Sequence, residues 1–207
     1  MKGLILDTSS NRPFLLLAAE GKPLAYEPLE GGEKLSKELG MRVKKFLTAP
    51  PDFIAVGTGP GSYTGVRVGV AMAKALSFGW QIPLIGFSSL QAFAPKEHLP
   101  ASAILTDAKM GGLYCQKGRM SENEWLFDPP ERLLITEAPT ILAGIPLFSP
   151  HSSDILKRAP FSQGVLDAEP NLDYLAALVC REARERGRSP LEPFSLAYLD
   201  GKTANLL

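Results

Sequence analysis

The first third of the chain is a succession of short apolar runs divided by polar turns, and the length and period of each run assign an element. Leu4-Ile5-Leu6 is continuous rather than alternating, the pattern of a strand covered on both faces, and it ends in the polar turn Asp7-Thr8-Ser9-Ser10-Asn11. Phe14 to Ala19 is a second run. Glu20-Gly21-Lys22 turns it into a weaker strand over Pro23 to Leu29, where Leu24 and Tyr26 alternate, so an antiparallel hairpin lies beside the first strand. From Glu33 to Leu47 the apolar residues Leu35, Leu39, Val43, Phe46 and Leu47 form one helical stripe, and Ala49-Pro50-Pro51 stops it. Phe53 to Val56 predicts another buried strand, followed by a glycine-rich turn, a helix from Ser62 to Phe78 capped by Gly79, and a strand over Ile82 to Gly86.

This βββαβαβ order is similar to the ribonuclease-H-like lobe of the actin, Hsp70 and sugar-kinase (ASKHA) superfamily, an α/β fold. The second half opens with an echo: Ala103-Ile104-Leu105-Thr106-Asp107 repeats the apolar strand ending in aspartate at Gly3-Leu4-Ile5-Leu6-Asp7. Two lobes are expected, an N-terminal one over 1–98 and a smaller one over 99–207, divided at the Pro95 to Ala101 linker. Strands are predicted at Gly112 to Lys117 and Trp125 to Phe127, short helices at Thr136 or Glu137 to Ala143 and at Ser152 to Ala159, and a long helix at Asn171 to Arg186 with Asn171 as N-cap. The last helix and tail are expected to pack back on the first lobe. Six prolines between Pro129 and Pro160 break every period there.

Composition narrows the function classes. The 207 residues suffice for a core without metals or disulfides, and no apolar run approaches the roughly 20 residues of a spanning helix. The N-terminal run meets Asp7 after three apolar residues, too soon for a secretory segment, so a cytoplasmic protein is expected. Cys115 and Cys180 are far apart in apolar segments and read as buried thiols. The 22 basic residues balance 22 acidic ones, whereas a protein that grips RNA alone carries a basic surplus. The local surplus Arg181, Arg184, Arg186 and Arg188 sits where cations suit a helix C-terminus.

The densest candidate chemistry is Gly57-Thr58-Gly59-Pro60-Gly61-Ser62-Tyr63-Thr64-Gly65-Val66-Arg67-Val68-Gly69. Its spacing fits neither Walker A nor the dinucleotide fingerprint. It predicts a tight strand-to-helix turn with Ser62 or Thr64 at the helix start, where free N–H groups can accept an anion, or where glycine is simply what the turn requires. Gly65, Gly69 and Ala73 share one helix face, and glycines inside a helix ask for very close approach of another backbone, either the chain's own sheet or a second subunit. The next row, Val68, Met72, Ala75 and Leu76, is apolar too. Asp7 and Asp107 stand where kinases of this architecture hold metal-bound phosphates, yet Asp107 is followed by Ala108-Lys109-Met110-Gly111-Gly112, without a hydroxyl. Asp7 could equally brace its own turn. The two histidines, His98 and His151, have no metal-ligand spacing, and Pro60 spoils a serine-hydrolase elbow at Ser62.

Asp7-Thr8-Ser9, the Gly-Pro-Gly-Ser-Tyr-Thr-Gly-Val-Arg string from Gly59 to Arg67, Asp107-Ala108-Lys109 with Tyr114, and Tyr198-Leu199 together resemble the TsaB (YeaZ) family, in order and over nearly the whole chain. The resemblance implies a non-catalytic paralogue of the metal-bearing subunit TsaD, supporting with TsaD and the ATPase TsaE the threonylcarbamoylation of adenosine 37 in tRNAs reading ANN codons. It implies contact with TsaD through Lys34, Leu35 and Leu39 on the first helix. On the second helix it implies Tyr63, Thr64, Gly65, Arg67, Val68, Gly69 and Met72. Homodimers would form when TsaD is absent, and tRNA would be met only through the complex. No catalytic or metal-binding residue follows and no cofactor of its own; Asp7, Thr8, Ser9 and Asp107 would be a vestigial nucleotide site, with weak ATP or ADP binding at the partner interface. Lys34-Leu35, Gly112 and Asp200 stand where the family has His-Ser, Glu and Arg. The alternatives are a small sugar or acetate kinase using Asp7 and Asp107, and a peptidase.

Overall fold

Two sheets, each centred on a strand that ends in an aspartate, organise the described residues 1–186 of the computed structural model. The expectations placed on Arg188, Tyr198, Leu199, Asp200 and the tail lie outside the described residues. In the first sheet β1 (Lys2–Asp7) pairs antiparallel with β2 (Phe14–Ala19), and β2 with β3 (Lys22–Pro28). On its other side β1 pairs parallel with β4 (Phe53–Gly57), and β4 with β5 (Leu84–Phe87), giving the order β3-β2-β1-β4-β5.

The unbroken apolar runs follow from burial on both faces. Leu4, Leu6, Leu15, Ile54 and Val56 turn to one side, where α1 (Glu33–Phe46) and α2 (Tyr63–Trp80) cover them with Leu35, Leu39, Val43, Val66, Val70 and Ala73. Ile5, Phe14, Leu16, Phe53 and Ala55 turn to the other side. There they meet α5 (Leu172–Arg186) through Leu175, Ala176 and Val179, and a 3-10 turn at Ser89–Phe93. α5 is started by Asn171, whose Oδ1 accepts from the Tyr174 N–H at 3.2 Å, the predicted N-cap.

The second sheet runs through β6 (Ala101–Asp107), β7 (Gly112–Ser121), β8 (Glu124–Phe127), β9 (Glu131–Leu134), β10 (Leu147–Ser149) and β11 (Leu166–Asp167). The order is β11-β10-β6-β7-β8, with β9 also on β7. Its helices are short: α3 (Ala138–Ile141) has 4 residues and α4 (Ser152–Arg158) has 7, against 14 and 18 in α1 and α2. Ile104 and Phe148 join the core cluster shared with the first sheet, while Ala103, Leu105, Leu113 and Cys115 face α3 and α4. Both cysteines are buried and free, and burial pushes the Cys115 thiol up to about 12.

The predicted boundaries change in instructive ways. Gly79 does not end α2: the helix runs on to Trp80, and Gln81 takes the left-handed cap conformation at φ 55°. The Gln81 Nε2 donates to the Phe78 carbonyl at 2.6 Å and the Ser77 hydroxyl ties to Ile82, so side chains finish what glycine was expected to. Strands β9 and β10 arise inside the proline-rich stretch, and β11 just beyond it, where no strand was expected. No described helix is long and apolar enough to cross a membrane.

Candidate functional site

Between the sheets lies a cleft of about 550 Å³, lined by the β1–β2 loop, the β4–α2 turn, the end of β6 and the start of α4. Of the two strand-end aspartates, Asp7 turns away from it. The Ser9 N–H donates to Asp7 Oδ1 at 2.6 Å, a local turn brace. Its Oδ2 is buried and makes no hydrogen bond, lying beneath Gly57, where any side chain would strike it and the Ser89 hydroxyl. Burial raises the Asp7 pKa, with Ser89 and Ser9 pulling the other way.

Asp107 does line the cleft, but its oxygens are taken. The Lys109 N–H donates to Oδ1 at 2.8 Å, the Lys109 ammonium lies 3.0 Å from Oδ2, and Arg158 also binds Oδ1. Partial burial pushes this carboxyl up, yet Lys109 and Arg158 together hold it below its ordinary range. The Thr8 hydroxyl is likewise committed, donating to the Gly65 carbonyl at 2.6 Å, and the Ser9 carbonyl accepts from the Ser62 N–H at 2.7 Å. Asp7, Thr8, Ser9 and Asp107 therefore serve the fold's own turns and ion pairs.

Sequence reasoning passed over His151, considered only as a metal ligand. It lines the cleft, half-buried, between Asn11 and Thr106, and its cue was the polar corner Ser149-Pro150-His151-Ser152 ahead of a helix. Arg181 and Arg184 are paired with Glu124 at 2.7 Å and Glu20 at 2.5 Å, so these two members of the basic cluster are engaged within the chain. Among the described residues no group of three or more His, Cys, Asp or Glu side chains could hold a metal ion.

The glycine row of α2 seats the β1–β2 loop. Ser62 caps the helix, its hydroxyl accepting from the Gly65 N–H at 3.3 Å, after a turn with a cis Gly59–Pro60 peptide. A Cβ at Gly61 would meet Ser9, one at Gly65 the Thr8 carbonyl, and one at Gly69 the Thr8 hydroxyl. The close neighbour that the spacing demanded is thus the chain itself, and Gly65 and Gly69 are corrected from partner contacts to seam residues. Leu35 and Leu39 are corrected too: they are core residues beside Leu6 and Val66.

What α1 and α2 leave outward is another set. Thr64, Arg67, Ala71, Ala75 and Phe78 form the exposed row of α2, with Val68 and Met72 half-buried beside it and Tyr63 stacked under the Arg67 guanidinium at 4.6 Å. On α1, Lys34, Lys37, Gly40, Met41 and Lys44 are exposed, and Gly40 abuts Met72. Of the sequence-derived contacts, Lys34, Tyr63, Thr64, Arg67, Val68 and Met72 lie on this surface.

Residues 34–136 match the family described as TsaD: tRNA N6-adenosine threonylcarbamoyltransferase. The chain is 31% identical over 148 residues to the tRNA threonylcarbamoyladenosine biosynthesis protein TsaB of Escherichia coli, covering 66% of this chain and 64% of that one. It is 37% identical over 110 residues to the protein of the same name from Bacillus subtilis, covering 46% and 48%. By these matches the chain is similar to the TsaB (YeaZ) proteins. The match spans less than two thirds of the length of either TsaB relative. The solved structure of YeaZ from Pseudomonas aeruginosa has the same fold, with a TM-score of 0.69 at 24% identity over 90% of this chain and 94% of that one. The chain is accordingly an α/β protein of the ASKHA architecture with two ribonuclease-H-like lobes, the second reduced.

Proposed function

We propose that the chain is a non-catalytic subunit of the cytoplasmic machinery that places threonylcarbamoyl on adenosine 37 of tRNAs reading ANN codons. In this reading it docks on TsaD through the outer face of α1 and α2, TsaE joins that pair, and the same face makes homodimers when TsaD is absent. The observation that carries the reading is the uncovered apolar surface on two adjacent helices: Met41 is 61% and Phe78 67% exposed, in a chain whose TsaB relatives are named for this modification. Ala71 and Ala75 let a partner backbone approach between them, and the Tyr63–Arg67 pair supplies the residue types that most often dominate such contacts. The two lobes divide near residue 98, and any weak ATP or ADP binding is assigned to the partner interface.

The kinase alternative asks Asp7 and Asp107 to share a metal-bound phosphate, whereas one faces inward and the other is held by Lys109 and Arg158. ATP turnover by the isolated chain, lost in Asp7→Asn, would favour it. Size-exclusion chromatography of a mixture with TsaD tests the proposal directly. Co-elution is expected, together with dependence of tRNA modification on the chain; separate elution with no effect on modification overturns it.

A further inference from the structure

The loop between β1 and β2 is the strap by which the first lobe holds the second. The Arg12 guanidinium donates to the Ala168 carbonyl at 2.5 Å and to Asp167 at 2.6 Å, and lies 3.0 Å from Glu169. The Asn11 Nδ2 donates to the Pro150 carbonyl at 3.0 Å, and the Asn11 N–H to His151 Nε2 at 3.3 Å. His151 is in turn 3.1 Å, through Nδ1, from the Thr106 hydroxyl.

A backbone N–H can only donate, so the nitrogen facing Asn11 must be unprotonated, and the ring's single proton must lie on Nδ1, directed at Thr106. An imidazolium has no acceptor to offer. The Arg12 end of the strap is held by an ion pair, and the guanidinium keeps the Asp167 carboxyl below its ordinary pKa.

We propose that His151 is a proton-operated clasp: neutral, it fastens the Asn11 end of the strap to the second lobe, and protonated, it releases that end while Arg12 remains as the pivot. The groups facing the ring are Asp154 on α4, Asp107 at the end of β6, Lys109 in the β6–β7 turn and Arg12 in the strap itself. Burial lowers the His151 pKa from 6.5; the two aspartates pull it up and the two cations push it down. The neutral form is thus the native one at neutral pH, and the clasp loosens as pH falls below 6.5, first costing stability and then, below the folded-state pKa, the contact itself. The freed imidazolium would turn toward Asp154 and Asp107, on the wall of the cleft, so acidification alters the cleft as well as the strap.

Heteronuclear NMR on the full chain tests this. At pH 7.5 the His151 ring is expected as the Nδ1–H tautomer, and the Asn11 amide is expected to be protected from exchange. Across the His151 titration, followed downward from pH 7.5 by its own ring resonances, that protection, corrected for intrinsic exchange, should fall roughly tenfold, the loss of about one hydrogen bond. His151→Phe should show low protection over the same range with no pH step. An Nε2–H tautomer at pH 7.5 overturns the proposal on the unmodified chain alone, even if the variant fails to fold. PH-independent protection of Asn11, or the same step in a folded His151→Phe, also overturns it.

Discussion

The Thr8 side chain donates to the Gly65 carbonyl at 2.6 Å, and the same hydroxyl occupies the space that a Cβ on Gly69 would need. One threonine thus explains two glycines in a helix that intrinsic propensity would rather fill with alanine. Gly69→Ala gains about 1 kcal/mol of helix propensity, but it drives a methyl into Thr8, which overpacking makes costlier, and a net loss of roughly 2 kcal/mol is expected. Urea unfolding of the variant measures it; a stability equal to or above the parent's would show that the seam is loose.

Asp7 carries a buried oxygen without a hydrogen bond, and its pKa is raised. Stability from the neutral carboxyl is present below 3.8, the unfolded value, and is lost as pH rises through the folded pKa. Asp7→Asn keeps the acceptor for Ser9 and removes the charge, so at pH 7.5 it is expected to stabilise by about 1 kcal/mol, with the gain shrinking toward pH 4. Denaturation midpoints at the two pH values give the answer, and a destabilised variant at pH 7.5 would mean that the carboxylate has an undetected partner.

Asp107 behaves in the opposite sense. Its pKa is lowered, so the stability it brings is present above 3.8 and fades as pH falls through the folded value. Arg158→Gln removes one of its two cations, and the Asp107 carboxyl titration followed by carbon NMR should move upward. An unmoved midpoint would show that Lys109 alone sets it.

The outer helix face can be separated from folding. Met41→Glu and Phe78→Glu alter exposed side chains, so each should change stability by no more than about 0.5 kcal/mol. Each should nevertheless weaken co-elution with TsaD and homodimerisation. Undiminished association of the double variant would move the docking surface elsewhere.

The first lobe was legible because each of its signals is local or repeated. A continuous run such as Leu4-Ile5-Leu6 can be satisfied only by cover on both faces, and the stripe Leu35, Leu39, Val43 only by a helix against a core. That same stripe was also offered as a contact surface, which conflicts with its own logic: a row regular enough to predict a helix is the row that the helix buries. The later strands were illegible because they are short, 4, 3 and 2 residues in β9, β10 and β11, and are created by partners remote in sequence. β9 exists because Gly112 to Cys115 lie beside it, as the register of Leu134 with Gly112 and Glu131 with Cys115 records.

By itself the sequence determined the order of the elements, the double-sided burial of the central strands, the Asn171 cap and the need for something to touch the glycine row of α2 very closely. Only the tertiary structure decided that this something is Thr8 of the same chain, that Asp7 turns inward while Asp107 is claimed by Lys109 and Arg158, and that His151 closes on Asn11. Period and propensity act within a few residues along the chain. The direction a carboxylate faces and the identity of a packing neighbour depend on which distant segments the sheets bring together.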